Sequence, residues 1–164
     1  MTDRTLSLLL GTIQPARGRA WHGGVTPVGA LRGVTATQAA WVPAPKRMSI
    51  WGLTLHVAYW KHTVRRHLEG GSAPRFPRSP ANFPLVPRPA TEAAWREDCR
   101  LAAEEHRKFV EAVKRFDPKR LNRRPPTGKK WTYGEMIVGV LAHDAYHTGQ
   151  IQLLKRLWRA RQRI

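Results

Sequence analysis

The clearest structural signal in the chain lies in residues 91–116, which read TEAAWREDCRLAAEEHRKFVEAVKRF. Apolar and small residues recur there at alternating intervals of four and three positions, a pattern typical of the seam between packed helices. Asp117 and Pro118 end the pattern, because proline cannot continue a helix. We therefore predict one long bundle helix, whose inward residues are Trp95, Cys99, Ala102, His106, Phe109, Val113 and Phe116.

A second helix is predicted from Ser49 to about Leu68. The Ser49 hydroxyl can accept a hydrogen bond from an early backbone N–H and so cap the start of the helix. Gly70 and Gly71 end it, because glycine adopts the left-handed terminal conformation at little cost. Its apolar face, spaced by four, three, four and four positions, consists of Leu53, Val57, Trp60, Val64 and Leu68.

The last helix is predicted to start at Thr132 and to continue to about Arg161. Thr132 and Glu135 have the spacing of a capping box, in which two reciprocal hydrogen bonds satisfy donors at the helix start. Basic residues near the chain end suit the negative end of the helix dipole. The predicted inward stripe consists of Met136, Val140, His143, His147, Ile151 and Leu154.

The remaining segments are less regular. Arg4–Ile13 is predicted to be a short helix and residues 26–34 a further helical piece with Val28 and Leu31 inward, whereas the rest of residues 1–45 is irregular and broken near residues 15–24. Residues 70–90 hold six of the chain's 13 prolines, which excludes a helix or a central strand. Extended, this segment reaches about 60 Å, twice the length of a 20-residue helix. Four apolar side chains are expected to hold it against the bundle: Phe76, Phe83, Leu85 and Val86.

These segments predict an all-α protein, a four-helix bundle with an irregular N-terminal region and a long proline-rich crossover between helices 2 and 3. The 164 residues suit a single domain over 1–164, and 41% hydrophobic residues allow a packed core. One cysteine excludes an internal disulfide framework and a cysteine-based zinc site, which fits a cytoplasmic protein. The sequence shows no membrane span and no signal-peptide core.

Three histidines are predicted to point into one interior. His143 and His147 are four positions apart and so lie one turn apart on the apolar face of the last helix. His56 lies beside Leu53 and Val57 on the apolar face of another helix. A buried neutral imidazole needs partners for both nitrogens, and a divalent cation bound by one nitrogen of each ring meets part of that need. Three protein ligands leave an open coordination position, which is typical of a catalytic metal.

Several neighbours are candidates for supporting roles. Asp144 gives the string H-D-x-x-H, similar to the H-E-x-x-H of zinc peptidases, but a place beside the ligands or at the surface is favoured over that of a general base. Gln150 could donate a hydrogen bond to a metal-bound group or lie on the helix surface. The other residues expected in or near the pocket are Tyr146, Trp60 and His106, each with core packing as the alternative.

The same stretches resemble the DinB-like (YfiT-type) family. The match is carried by HDAYHTGQI at residues 143–151, by the segment from Ser49 through His56 and Trp60 to Gly70, by residues 91–95 and by Trp131-Thr132 with Glu135. The resemblance extends over most of residues 21–158 in the same order. It implies a four-helix bundle with a long crossover and a metal site whose ligands, carried over by position, are His56, His143 and His147.

The resemblance also implies what such a site does. Members of the family are frequently homodimers and bind zinc, nickel or iron; some transfer or use low-molecular-weight thiols such as bacillithiol or mycothiol, and others are called hydrolases. We therefore expect a metal-dependent enzyme that activates a nucleophile. The favoured reaction is thiol transfer to an electrophilic small molecule, and hydrolysis is the alternative. Metal storage or sensing without turnover is a further alternative.

The charge of the chain supports one more alternative. Lysine and arginine number 29 against 11 acidic residues, a net charge of +18. The positive residues concentrate in residues 114–130 and near the C-terminus, and such patches can neutralise phosphates. No recognition motif for DNA or RNA accompanies them, so a nucleic-acid-binding module with a non-catalytic metal ranks below the enzyme. The same field can attract anionic substrates.

Overall fold

A computed structural model of the chain describes residues 4–14, 24–71 and 74–161. These residues contain no β-strand element. Besides α-helices they form one short 3-10 helix, Pro118–Arg120, between the two longest α-helices. The predicted all-α architecture is confirmed. The described residues form six α-helices: α1 (Arg4–Ile13), α2 (Pro27–Ala30), α3 (Ala36–Ala40), α4 (Ile50–Leu68), α5 (Glu92–Lys114) and α6 (Tyr133–Arg161).

The predicted starts of the three long helices are confirmed by their capping bonds. The Ser49 hydroxyl accepts from the backbone N–H of Gly52 at 3.1 Å, and Thr91 caps α5 in the same way. At the start of α6, the N–H of Thr132 donates to Glu135 at 2.7 Å and the N–H of Glu135 donates to the Thr132 hydroxyl at 3.2 Å. Gly70 ends α4 with a φ of 72°, a conformation that other residues adopt at a cost.

The N-terminal region and the crossover differ in part from expectation. The second helical piece is only Pro27–Ala30, and Val28 is 41% exposed while Ala30 is fully buried. Helix α3 was not predicted; its first N–H, from Ala36, donates to Glu92 of α5 at 2.7 Å, a contact that sequence spacing does not reveal. Leu85, expected to pack on the bundle, is 73% exposed. The break predicted near residue 15 lies mostly outside the described residues.

Two separate apolar cores hold the long helices together. One core consists mainly of residues from α1, the C-terminal halves of α4 and α5, and the N-terminal third of α6: Leu6, Ile13, Val64, Leu68, Phe109, Val110, Ala112, Val113, Phe116, Leu121, Tyr133, Ile137 and Val140. The other consists mainly of residues from α2, α3 and the opposite ends of the long helices: Ala30, Val34, Ala36, Ala39, Ile50, Trp51, Leu53, Leu55, Trp95, Ile151 and Leu154.

A layer of buried polar residues lies between the two cores along each long helix. In α4 it falls between Leu55 and Val64, and in α6 between Val140 and Ile151. Burial of polar groups is costly unless each finds a partner, so the layer concentrates the chemically demanding residues in the middle of the bundle. Its buried members are His56, Lys61, His62, Asp98, Glu105, Asp144, His147 and Thr148, with Arg65 at its edge next to Val64.

Candidate metal centre

The structure brings His56, His143 and His147 together in this polar layer. Each offers one ring nitrogen, and the three nitrogens lie within 4.8 Å of one another. The Nε2 atoms of His56 and His143 are 3.0 Å apart, although the residues are 87 positions apart in sequence. His56 and His147 are buried and His143 is half-buried. The convergence that helical spacing predicted for two separate helices is therefore present.

The crossover fixes the ring of His56. His56 Nδ1 donates to the backbone carbonyl of Asn82 at 2.6 Å, and the ring stacks on Phe83 with 4.3 Å between centroids and 1° between planes. Asn82 has a φ of 69°, a left-handed conformation that asparagine tolerates better than most residues. Its side-chain oxygen accepts from Trp60 Nε1 at 2.8 Å. Since a carbonyl only accepts, the proton of neutral His56 is on Nδ1 and the lone pair of Nε2 faces the cluster.

The other two rings differ in their outer partners. His147 Nδ1 donates to the side-chain oxygen of Gln150 at 2.7 Å, which leaves Nε2 with a lone pair. A carbonyl or amide oxygen behind each ligating imidazole is the usual arrangement in metal sites, where it fixes both tautomer and orientation. His143 Nδ1 is buried and has no partner among the described residues.

The surroundings favour the neutral form of His143 and His56. Burial, together with the nearby His147 and His56 rings and the charge of Lys61, lowers the pKa of His143 to about 4. Burial also lowers the pKa of His56, against the opposing effect of the hydrogen bond to Asn82. A metal binds neutral imidazole, so this environment supplies the ligand form at neutral pH.

The three histidines fit a divalent cation. In a tetrahedral site with metal–nitrogen bonds of about 2.0–2.1 Å, neighbouring ligand nitrogens are about 3.4 Å apart. The 3.0 Å separation of His56 and His143 is near that value, and the 4.8 Å limit for the set means that small side-chain shifts would bring all three nitrogens onto one ion. Two lone pairs are already oriented by their outer partners, and no carboxylate belongs to the group within the described parts of the chain.

Asp144 is buried, and its carboxylate forms an ion pair with a lysine. Its carboxylate binds the ammonium of Lys61 at 2.6 Å, and both side chains are at least nine-tenths buried. Burial raises the pKa of the Asp144 carboxyl, and Lys61 opposes that shift. Because the carboxylate is held by Lys61, the structure favours a structural role beside the ligands over that of a general base.

The remaining predicted pocket residues are distributed around the cluster. Gln150 supports His147 as described, and Tyr146 is 64% exposed with its ring 4.9 Å from that of His147. The Trp60 ring is 6.1 Å from His143 and lines a groove of about 610 Å³ with Trp131 and several apolar residues of α6. His106 is not in the cluster; it lines a small interior cavity with Thr148, and its Nδ1 has no partner among the described residues.

Sequence reasoning missed Asn82, Lys61 and the groove residue Trp131. For Asn82 one weak signal exists: an asparagine inside a proline-rich segment is a candidate for a left-handed turn position. Lys61 carries no such signal, because a lysine next to an apolar face is ordinarily solvated.

Comparison with known proteins gives one match. A model of the DinB superfamily matches residues 28–151, a range that includes all three histidines and the crossover. No curated protein and no solved structure matches the chain significantly. In the part of the chain that the structure describes, no helix combines the length and apolar character needed to span a bilayer.

Proposed function

The chain belongs to the DinB superfamily, and from this premise we propose that it is an enzyme that holds one divalent cation on His56, His143 and His147 and uses it to activate a nucleophile. The observation that carries the proposal is the convergence of three imidazoles that have no acidic partner among the residues the structure describes. A cation there would keep its full 2+ charge and an open position, and so would lower the pKa of a bound thiol or water. Zinc, nickel and iron(II) all suit nitrogen ligands.

The favoured reaction is transfer of a low-molecular-weight thiol to an electrophilic small molecule. The thiolate is the reactive form of a thiol, so stabilising it near neutral pH accelerates attack on an electrophilic carbon. The chain's own residues contribute position: Asn82 and Gln150 hold two rings, and the groove beside His143 accommodates an apolar part of the electrophile against Trp60 and Trp131.

Hydrolysis is the second candidate, because the same open position also accepts water. The carboxylate nearest in sequence, Asp144, is held by Lys61 and so is not free to act as the base that a peptidase uses. That observation ranks thiol transfer first. The two candidates differ in one requirement: thiol transfer stops without thiol, whereas hydrolysis of an ester or amide does not.

The metal site is tested by elemental analysis of the purified protein. We expect about one equivalent of divalent metal in the wild type and its loss in His143→Ala, since two remaining imidazoles bind far more weakly. His67→Ala is the matched control, because His67 lies on α4 outside the cluster and contacts Thr127 at 3.4 Å. Equal metal content in wild type and His143→Ala would overturn the site.

The reaction is then tested with metal-loaded protein. Wild type should couple a thiol to an electrophile such as an epoxide or activated halide, and His143→Ala should lose that activity. If the wild type turns over esters or amides without thiol, and His143→Ala loses that activity, the assigned reaction is hydrolysis and not thiol transfer. Stoichiometric metal without turnover of either kind would favour storage or sensing.

A further inference from the structure

A second cavity lies between the C-terminal half of α4 and the crossover. We call it the crossover cavity; its volume is about 490 Å³, and its polar lining includes His62, Arg66, His67, Arg75, Arg78 and Thr127. We propose that the crossover cavity binds the phosphate group of a small organic molecule. The proposal rests on its charge, on unpartnered donors and on its shape, and it is independent of the function proposed above.

The charge of the crossover cavity is positive and largely unmatched. Arg66 and Arg75 form no ion pair with any described residue, and no carboxylate is among the residues that line the cavity. Arg78 differs, because its charge is paired with Glu97 at 2.6 Å and Asp98 at 2.8 Å. It therefore lines the cavity without adding unpaired positive charge. The neighbouring charges of Arg66 and Lys129 act with burial to lower the pKa of His67. A positive cavity without acidic groups favours an anion.

Two polar groups at the cavity lack partners. Arg66 Nε is buried without an acceptor among the described residues, and a terminal nitrogen of the same guanidinium reaches only the carbonyl of Gly71 at 3.4 Å. A phosphate offers several oxygens to the forked donors of arginine, which makes it a better match than a single carbonyl. An unsatisfied buried donor costs free energy, and a bound oxyanion would remove that cost.

The second unpartnered group is Nε2 of His62, a residue only 3% exposed. A nitrogen of Arg65 lies 3.1 Å from His62 Nδ1, and a guanidinium can only donate, so a neutral ring that accepts there carries its proton on Nε2. A protonated ring that donates from Nδ1 to Glu105, 3.2 Å away, also keeps a proton on Nε2. In both of these forms His62 adds an N–H donor to the cavity lining, whereas the neutral form that donates from Nδ1 to Glu105 leaves a lone pair on Nε2.

The shape of the cavity favours a small molecule over a polymer. Tyr59 and Phe76, whose rings lie 5.7 Å apart, give it an apolar wall beside the donors. Its volume is within the range of small-molecule sites, and the crossover closes one side. The cavity is also distinct from the histidine cluster, because Ser79 and Ala81 line the cavity whereas the next residues, Asn82 and Phe83, contact His56.

The test is isothermal titration calorimetry with phenyl phosphate. The protein carries His143→Ala, so that binding to a metal at the histidine cluster does not contribute. We expect saturable binding of one equivalent and a Kd at least tenfold weaker in Arg75→Gln and Arg66→Gln, since each loses a charge-assisted hydrogen bond. Arg75 is exposed, so its replacement leaves the core intact.

The matched control is Arg156→Gln, which removes one positive charge from an exposed position of α6. It should leave the Kd for phenyl phosphate unchanged. Equal weakening in Arg156→Gln and Arg75→Gln would reduce the effect to net charge and overturn the proposal, as would absence of binding. Binding of a DNA oligonucleotide that Arg75→Gln weakens, without binding of phenyl phosphate, would assign the cavity to nucleic acid instead.

Discussion

Two polar clusters adjoin α4 in the layer between the apolar cores, and they are built differently. The cluster toward α5 contains His62, Arg65 and Glu105, and there the carboxylate lies 3.1 Å from a nitrogen of Arg65 and 3.2 Å from Nδ1 of His62. The cluster toward α6 contains three imidazoles and no carboxylate of its own. Since both clusters are largely buried, the difference lies in whether donors and acceptors are matched.

In the first cluster the carboxylate of Glu105 is paired with Arg65, although His62 Nε2 and Arg65 Nε have no partner among the described residues, whereas the histidine cluster lacks any opposite charge among the described residues. Arg65 also binds Glu69 at 2.7 Å, so its charge is shared by two acids. In the histidine cluster the N–H of His143 Nε2 can donate to His56 Nε2, 3.0 Å away, but no donor among the three rings is then left for the lone pair of His147 Nε2. A protein that had only to bury these side chains would be expected to pair them. The unmatched set points to a cation that the folded chain supplies with ligands.

The largest expected effect comes from breaking the buried ion pair between Lys61 and Asp144, the residue next to His143. Lys61→Met leaves the buried Asp144 carboxylate without its partner, which should lower the free energy of unfolding by about 3–5 kcal/mol. Urea denaturation of metal-free protein measures the change.

The double variant Lys61→Met, Asp144→Leu controls for packing. It removes both charges and should recover most of the lost stability, to within about 1–2 kcal/mol of the wild type. A double variant as unstable as Lys61→Met would show that the pair matters through shape and not through unpaired charge.

An intermediate effect is expected from acid. The pKa of His143 is lowered to about 4 and that of His56 is also lowered, both mainly by burial. Below about pH 6.5, the ordinary histidine value, the unfolded chain therefore binds more protons than the folded chain. Metal-free protein should keep its full stability above pH 6.5 and lose roughly 2 kcal/mol toward pH 4, a figure reduced because His143 is partly exposed.

The variant His143→Gln should flatten that pH dependence in urea denaturation at pH 7.5, 6, 5 and 4.5. His106→Gln is the comparison, because burial, with Lys61, also lowers the pKa of His106 to about 4. An unchanged slope in both variants would mean that other groups cause the loss.

The smallest effect is expected at the crossover. Asn82→Ala places alanine, which tolerates a φ of 69° less well than asparagine, at this position and removes the acceptor of Trp60, which should cost about 1–2 kcal/mol. Asn82→Gly keeps the backbone carbonyl that holds His56 and tolerates the conformation, so it should cost less. Metal affinity measured by chelator competition should fall more in the alanine variant. Equal affinities in the two variants would show that the backbone conformation of the crossover does not influence metal binding by the histidine cluster.

Much of the fold was predictable because its signals are local. The capping residues Ser49, Thr91 and Thr132 fix the starts of α4, α5 and α6 within one turn, and the apolar spacing fixes which faces are buried. The convergence of His56 with α6 was also predictable, since inward faces of packed helices must meet. The missed features depend on distant residues: α3 on Glu92 and the orientation of His56 on Asn82.

The position of the histidines along the chain has a mechanical consequence. His56 and His143 are 87 positions apart, and the crossover, all of α5 and the start of α6 lie between them. An ion gripped by both would act as a cross-link that closes this long loop, and it would bind the unfolded chain far less well. Binding of the metal should therefore raise the melting temperature in proportion to the logarithm of the free metal concentration. The bound ion would also link α4 to α6 in the polar layer, where the two apolar cores do not hold the helices together.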